Sequence, residues 1–126
     1  MKSNSDIQPK AFLYLGVGKY HVNFGVEQVT VPNPDLSTRQ AFSYDSVEVY
    51  GEPVNAAGDA KPEYDVIIAG IIADRYSIAD ELALINNFLA DDSVDEYQAY
   101  QKWRRVAKHI ANSATLTTKA ELLNID

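Results

Sequence analysis

The chain reads as an α+β protein, with a small N-terminal antiparallel sheet followed by a helical half of three to four helices. Two observations predict this. Apolar residues alternate with polar ones through the first fifty positions, as in Tyr20, Val22 and Phe24 around His21 and Asn23. After residue 61 the apolar spacing changes to threes and fours, and Ser or Thr stands three residues before an acid at three places. Strands first and helices second is the α+β order. The whole of 1–126 is read as a single domain, with a β region over 11–50, a linker over 51–61 and a helical region over 62–126.

Met1–Lys10 is polar and is expected to be loose. Ala11–Leu15 is the first strand, closed by Gly16-Val17-Gly18. A second strand carries Tyr20, Val22 and Phe24, is interrupted at Gly25, and resumes over Val26–Val31 until Pro32-Asn33-Pro34-Asp35 ends it. Gln40–Tyr50 is the last strand. Its apolar positions change parity between Tyr44 and Val47, which predicts a bulge or tight turn at Asp45-Ser46.

Pro62 suits the first turn of a helix. The following Tyr64–Arg75 is apolar and β-branched all round, so a buried strand competes with a buried helix, and the helix is favoured. Ser77 with Asp80 opens the next helix, whose Ile78, Leu82, Ile85 and Leu89 fall on one narrow face beside Phe88. Ser93 with Glu96 opens another, reaching about Ala111. Its buried side is expected to hold Ala99, Tyr100, Trp103, Val106, Ala107 and Ile110. Acids gather at its start and bases toward its end, as the helix dipole prefers. Thr118 with Glu121 caps a short final helix.

Composition narrows the function classes. Net charge is −7, from 11 bases and 18 acids, which repels a phosphate backbone and disfavours nucleic acid as a partner. The absence of cysteine excludes disulfides, thiolate zinc sites and cysteine nucleophiles. No apolar run approaches the ~18 residues of a membrane span, and residues 1–10 lack the apolar segment of a signal peptide. A soluble protein without an export tag is therefore expected.

Motifs with chemical meaning fail on inspection. In Gly16-Val17-Gly18-Lys19 the first Gly is too close for a phosphate loop and position 20 is Tyr, so a hairpin turn is the reading. Tyr64–Gly70 resembles the first strand of a dinucleotide-binding unit, but Ile72 and Arg75 stand where further glycines are required. His21 and His109 lack partners at metal-ligand spacing, and no Ser stands in a nucleophile elbow. Asp91, Asp92, Asp95 and Glu96 lack the alternating oxygens of a calcium loop and are explained as helix-terminus charges. No catalytic residue, metal or cofactor is predicted, and the protein is read as a non-enzyme.

What remains is a candidate interaction surface. Lys102, Arg105, Lys108 and His109 lie on one side of their helix opposite Trp103, with Arg104 at the edge and Tyr97 a turn earlier. A solvated helix face is the plain explanation; a surface for an acidic protein or for DNA is the alternative, with DNA the weaker option in a chain of net charge −7. Eight tyrosines exceed what so small a core can hold, which favours an interface in a homo-oligomer or larger assembly.

Gly18–Val29 (GKYHVNFGVEQV) and Tyr64–Ala111, with its Ile-rich helix, Arg75-Tyr76-Ser77, acidic pair and aliphatic helix, resemble small phage and prophage proteins of Bacteroides-like bacteria. The resemblance implies a virion structural protein of head or tail, assembled in the host cytoplasm and partnered by other virion proteins. The Tyr97, Tyr100, Trp103 helix also looks loosely like the ends of tail-fibre assembly chaperones, which supplies the alternative function. A small DNA-binding or regulatory protein is the third reading. The 51–61 linker and the tail after Asn112 lie outside the resemblance.

Overall fold

A computed structural model describes residues 1–51, 61–90, 94–113 and 115–125. Four strands precede four helices: β1 (Lys2–Ser5), β2 (Phe12–Gly16), β3 (Lys19–Pro32), β4 (Thr38–Tyr50), α1 (Tyr64–Arg75), α2 (Ile78–Leu89), α3 (Val94–Asn112) and α4 (Lys119–Leu123). The strands form one antiparallel sheet in the order β1-β4-β3-β2.

The sheet turns one face to the helices. Tyr20, Val22 and Phe24 of β3 pair with Val49, Val47 and Asp45 of β4, and all but Asp45 enter a core with Ile67 and Ile71 of α1. Trp103, Val106, Ala107, Ile110 and Ala111 of α3 complete it. The alternation of β3 and the threes and fours of α3 thus meet in one apolar layer. Tyr64–Arg75 is helical; being apolar all round, it buries Ile67 and Ile71 against the sheet and half-buries Val66, Ile68 and Ile72 at the core margin.

Gly70 sets the spacing between α1 and the sheet. A Cβ built on it would lie 2.2 Å from Val49 Cγ1, so only glycine lets the helix come this near β4. The residue that gives Tyr64–Gly70 its dinucleotide look therefore serves helix–strand contact.

Four expectations are corrected. Met1–Lys10 is not loose throughout: Lys2–Ser5 pairs antiparallel with Phe42–Asp45 of β4, an edge strand held by backbone hydrogen bonds without an apolar pattern. β4 runs unbroken through Asp45-Ser46, and the bulge lies opposite, where Gly25 and Val26 of β3 stand against Tyr44 alone. Gly25 takes φ +65° there. The bulge turns the Val26 N–H out of the ladder, and the Thr117 carbonyl accepts it at 3.1 Å, tying the segment before α4 to the sheet. Pro62 precedes the helix rather than occupying its first turn, Glu63 being the N-cap. Ala99 is exposed, because the buried arc of α3 begins at Tyr100.

The caps at Ser77–Asp80, reciprocal with distances of 3.1 and 3.0 Å, and at Thr118–Glu121 form as expected. The Ser93–Glu96 box and most of the 51–61 linker lie outside the described residues.

The β2–β3 connection is the expected hairpin turn. Gly16 pairs with Lys19 across Val17 and Gly18, which have φ of +54° and +69°. That left-handed conformation suits Asn or Gly and strains a β-branched residue. Val17 is fully exposed, so it gains nothing from packing. Val17→Asn is expected to raise stability by about 1 kcal/mol, read as a higher urea midpoint at unchanged slope.

Candidate interaction surfaces

The helix α2 is the first feature. Glu81, Leu84 and Phe88 turn toward α3: Phe88 stacks on Tyr97 with centroids 4.0 Å apart, and the Tyr100 hydroxyl donates to Glu81 Oε1 at 3.1 Å. Burial, and then this bond, push the Tyr100 hydroxyl above its ordinary pKa. The adjacent stripe, read from sequence as the helix's apolar face, is largely uncovered among the described residues. Ile78 is 77% exposed, Leu82 58%, Ile85 39% and Leu89 76%, and α2 buries no residue fully. The helix carries Asp80 and Glu81 in its first turn and no base.

The predicted surface on α3 is spread over three surroundings. Tyr97 is taken into the α2–α3 contact, where it also accepts a hydrogen bond from Gln101 Nε2 at 2.7 Å. Arg104 is half-buried, donating to Gln101 Oε1 at 3.2 Å beside the Tyr100 ring. His109 faces α4, its Nε2 3.7 Å from Glu121 Oε2. Arg105 and Lys108 are exposed. Lys102 points elsewhere, to the rim of a cleft.

That cleft, about 440 Å³, lies where the end of α1, the middle of α3, α4 and the β3 bulge converge. Phe24, Trp103, Val106 and Leu122 make its floor, with Leu123 and Ala99 toward the mouth. Trp103 is fixed on three sides. Its Nε1–H donates to the Ile71 carbonyl at 3.0 Å, Phe24 lies 6.0 Å away centroid to centroid, and the Arg75 guanidinium covers the ring at 3.6 Å. Lys2, Arg75, Lys102 and Lys119 stand around the opening with Asp45 as the single acid. Lys2 pairs with Asp45 at 3.7 Å and Lys119 with Glu27 at 3.2 Å. Arg75 and Lys102 have no carboxylate at ion-pair distance among the described residues. Sequence reasoning found only Lys102 of these four. The others come from β1, the last turn of α1 and the start of α4, and no local pattern links them.

The outer face of the sheet holds a polar cluster. Register places Lys19 beside Tyr50 and His21 beside Glu48. Glu48 accepts from the Tyr50 hydroxyl at 2.5 Å, lies 3.1 Å from Lys19 Nζ and 3.5 Å from His21 Nε2. The Tyr50 hydrogen bond, then that of Lys19, holds the Glu48 carboxyl below its usual range, and Glu48 in turn raises Tyr50 and Lys19. Every member is exposed or half-exposed, so this is a solvated cross-strand network.

Tyr20 and Tyr100 are core residues, while Tyr14, Tyr50 and Tyr64 reach solvent. Among the described residues no group of three His, Asp or Glu side chains could hold a metal ion. Asp91 and Asp92 are outside them. No described helix is long and apolar enough to cross a membrane. Comparison of the chain with protein-family models, curated proteins and solved structures gave no match.

Proposed function

We propose that the protein is a non-enzymatic structural component of a bacteriophage particle, attached at head or tail through direct contacts with other virion proteins. The observation that carries this reading is the largely uncovered aliphatic stripe of α2. Four large side chains aligned on one face of a helix that, among the described residues, touches the fold only through Glu81, Leu84 and Phe88 form an apolar patch, and such patches mark sites of protein association. Covering a fully exposed Leu or Ile side chain contributes about 1.5–3 kcal/mol, so burying what the stripe leaves exposed is a favourable contribution to such a contact. The sequence resemblance to phage proteins supplies the setting.

Mass spectrometry of purified particles tests the reading: the protein is expected at fixed copy number. The paired substitution Leu82→Gln with Leu89→Gln is expected to leave urea stability within about 1 kcal/mol, because both side chains are mostly exposed and Gln nearly matches Leu in helix propensity. The same pair is expected to remove the protein from particles. Presence in lysates and absence from particles would instead identify an assembly chaperone. Absence from particles together with steeply salt-dependent retardation of DNA would identify a regulator.

A further inference from the structure

We infer that the cleft between α3, α4 and the β3 bulge is a docking site for an acidic segment of another protein, one that inserts a large apolar side chain against Trp103 and places carboxylates on Lys102 and Arg75. No residue of the α2 stripe lines this cleft.

Charge is the first ground. The chain as a whole has 11 bases to 18 acids, yet the cleft is lined by four bases and one acid. The local sign is thus opposite to that of the molecule. Two of the four bases are matched by Asp45 and Glu27. Lys102 and Arg75 lack such a match, so a carboxylate arriving there adds an interaction without breaking an ion pair.

The floor is the second ground. Phe24, Trp103, Val106 and Leu122 offer an apolar bed in a space of about 440 Å³, room for one aromatic or aliphatic anchor and its flanking backbone. The rim cations then sit where residues on either side of the anchor would lie. The Arg75 guanidinium, lying over the indole with its Cζ 3.6 Å from the ring centroid, is held in place before a ligand arrives, which lowers the ordering cost of binding.

Other ligand classes fit less well. A nucleic acid requires a continuous basic track along its backbone, whereas these bases ring a small apolar hole in a chain of net charge −7. A small metabolite requires polar groups converging at depth to orient it, whereas the charged groups here stand around the opening.

Trp103 is the only tryptophan, so intrinsic fluorescence reports directly on the cleft. The experiment titrates the full chain with a blocked octapeptide of acidic residues around a central Phe-Leu pair. One control peptide has lysines in place of the acids; another has alanines in place of the central pair. The expected result is a saturable spectral shift with the acidic Phe-Leu peptide alone, weakened at high salt. Lys102→Glu, an exposed position, is expected to weaken binding about tenfold, and Lys102→Gln by less. Circular dichroism verifies that both variants fold. The proposal is overturned by no saturable shift up to millimolar peptide, by equal binding of the lysine peptide, or by unchanged affinity in the folded Lys102→Glu variant. A single-stranded oligonucleotide that saturates the shift where the acidic peptide does not would overturn it as well, assigning the cleft to nucleic acid.

Discussion

Gly70→Ala is expected to destabilise the protein by about 2–3 kcal/mol, although it exchanges a poor helix former for the best one. In an exposed helix that exchange would gain about 1 kcal/mol. Here the added methyl would meet Val49 Cγ1 at 2.2 Å, with Val49 Cβ at 3.5 Å and Val47 Cγ1 at 3.8 Å behind it. The colliding atom belongs to a buried β-branched side chain with little rotamer freedom, on a strand paired at that point with Tyr20 of β3. Either α1 lifts from the sheet or Val49 leaves its rotamer, and both disturb the layer that holds Ile67 and Ile71. Urea unfolding provides the measurement. Adding Val49→Ala removes the collision, so the double variant is expected to be at least about 1 kcal/mol more stable than the sum of the two single effects. A Gly70→Ala protein as stable as its parent would mean that α1 stands farther from β4 than described.

Trp103→Ala is expected to cost about 3–5 kcal/mol, a large part of the roughly 5–15 kcal/mol that stabilises a domain. The indole is 7% exposed and joins the sheet, α1 and α3. Its removal leaves a cavity beside Phe24, frees the Ile71 carbonyl and strips the Arg75 guanidinium of its aromatic support. Trp103→Phe separates these effects. It retains most of the apolar volume and loses the Nε1–H donor, for which a cost of about 1–2 kcal/mol is expected. Circular dichroism in urea measures both, since the variants lack the fluorophore. Equal losses for Ala and Phe would assign the stability to the hydrogen bond and not to packing.

The sequence made some of this architecture legible because the relevant signals are local. The Ser77–Asp80 and Thr118–Glu121 caps, the glycine turn before Lys19 and the alternation of Tyr20, Val22 and Phe24 each depend on neighbours within four residues. β1 was illegible for a physical reason: Lys-Ser-Asn-Ser buries no apolar side chain, and its pairing rests on the backbone alone. The bulge was legible in β3, where the apolar side passes from Tyr20, Val22 and Phe24 to Val29 and Val31 and Gly25 takes the positive φ; β4 keeps its alternation, with Phe42 and Tyr44 on the face opposite Val47 and Val49. Periodicity announced that Ile78, Leu82, Ile85 and Leu89 share a face, but periodicity is blind to what lies over it, and that face is largely uncovered among the described residues. The basic residues of α3 were read as one surface because a helix drawn alone has no neighbours. In the fold, α2 claims Tyr97, Arg104 turns back to Gln101 and Tyr100 of its own helix, α4 claims His109, and Lys102 joins bases from three distant segments.

The bridge between Val26 and Thr118 bears on the order in which the chain folds. β3 and β4 pair from Pro32 and Thr38 outward across a short turn, whereas the contact beside α4 closes a loop of 92 residues (118 less 26). For an unstructured chain the longer closure costs roughly 2 kcal/mol more in entropy. The β3–β4 hairpin is therefore expected to form first and α4 to engage last, an order that high φ-values in β3 and low ones in α4 would report. The same β3 bulge that holds the segment before α4 lines the Trp103 cleft. Its basic rim, with Lys2 and Lys119 drawn from opposite ends of the sequence, is thus a property of the finished fold, absent while the hairpin stands alone.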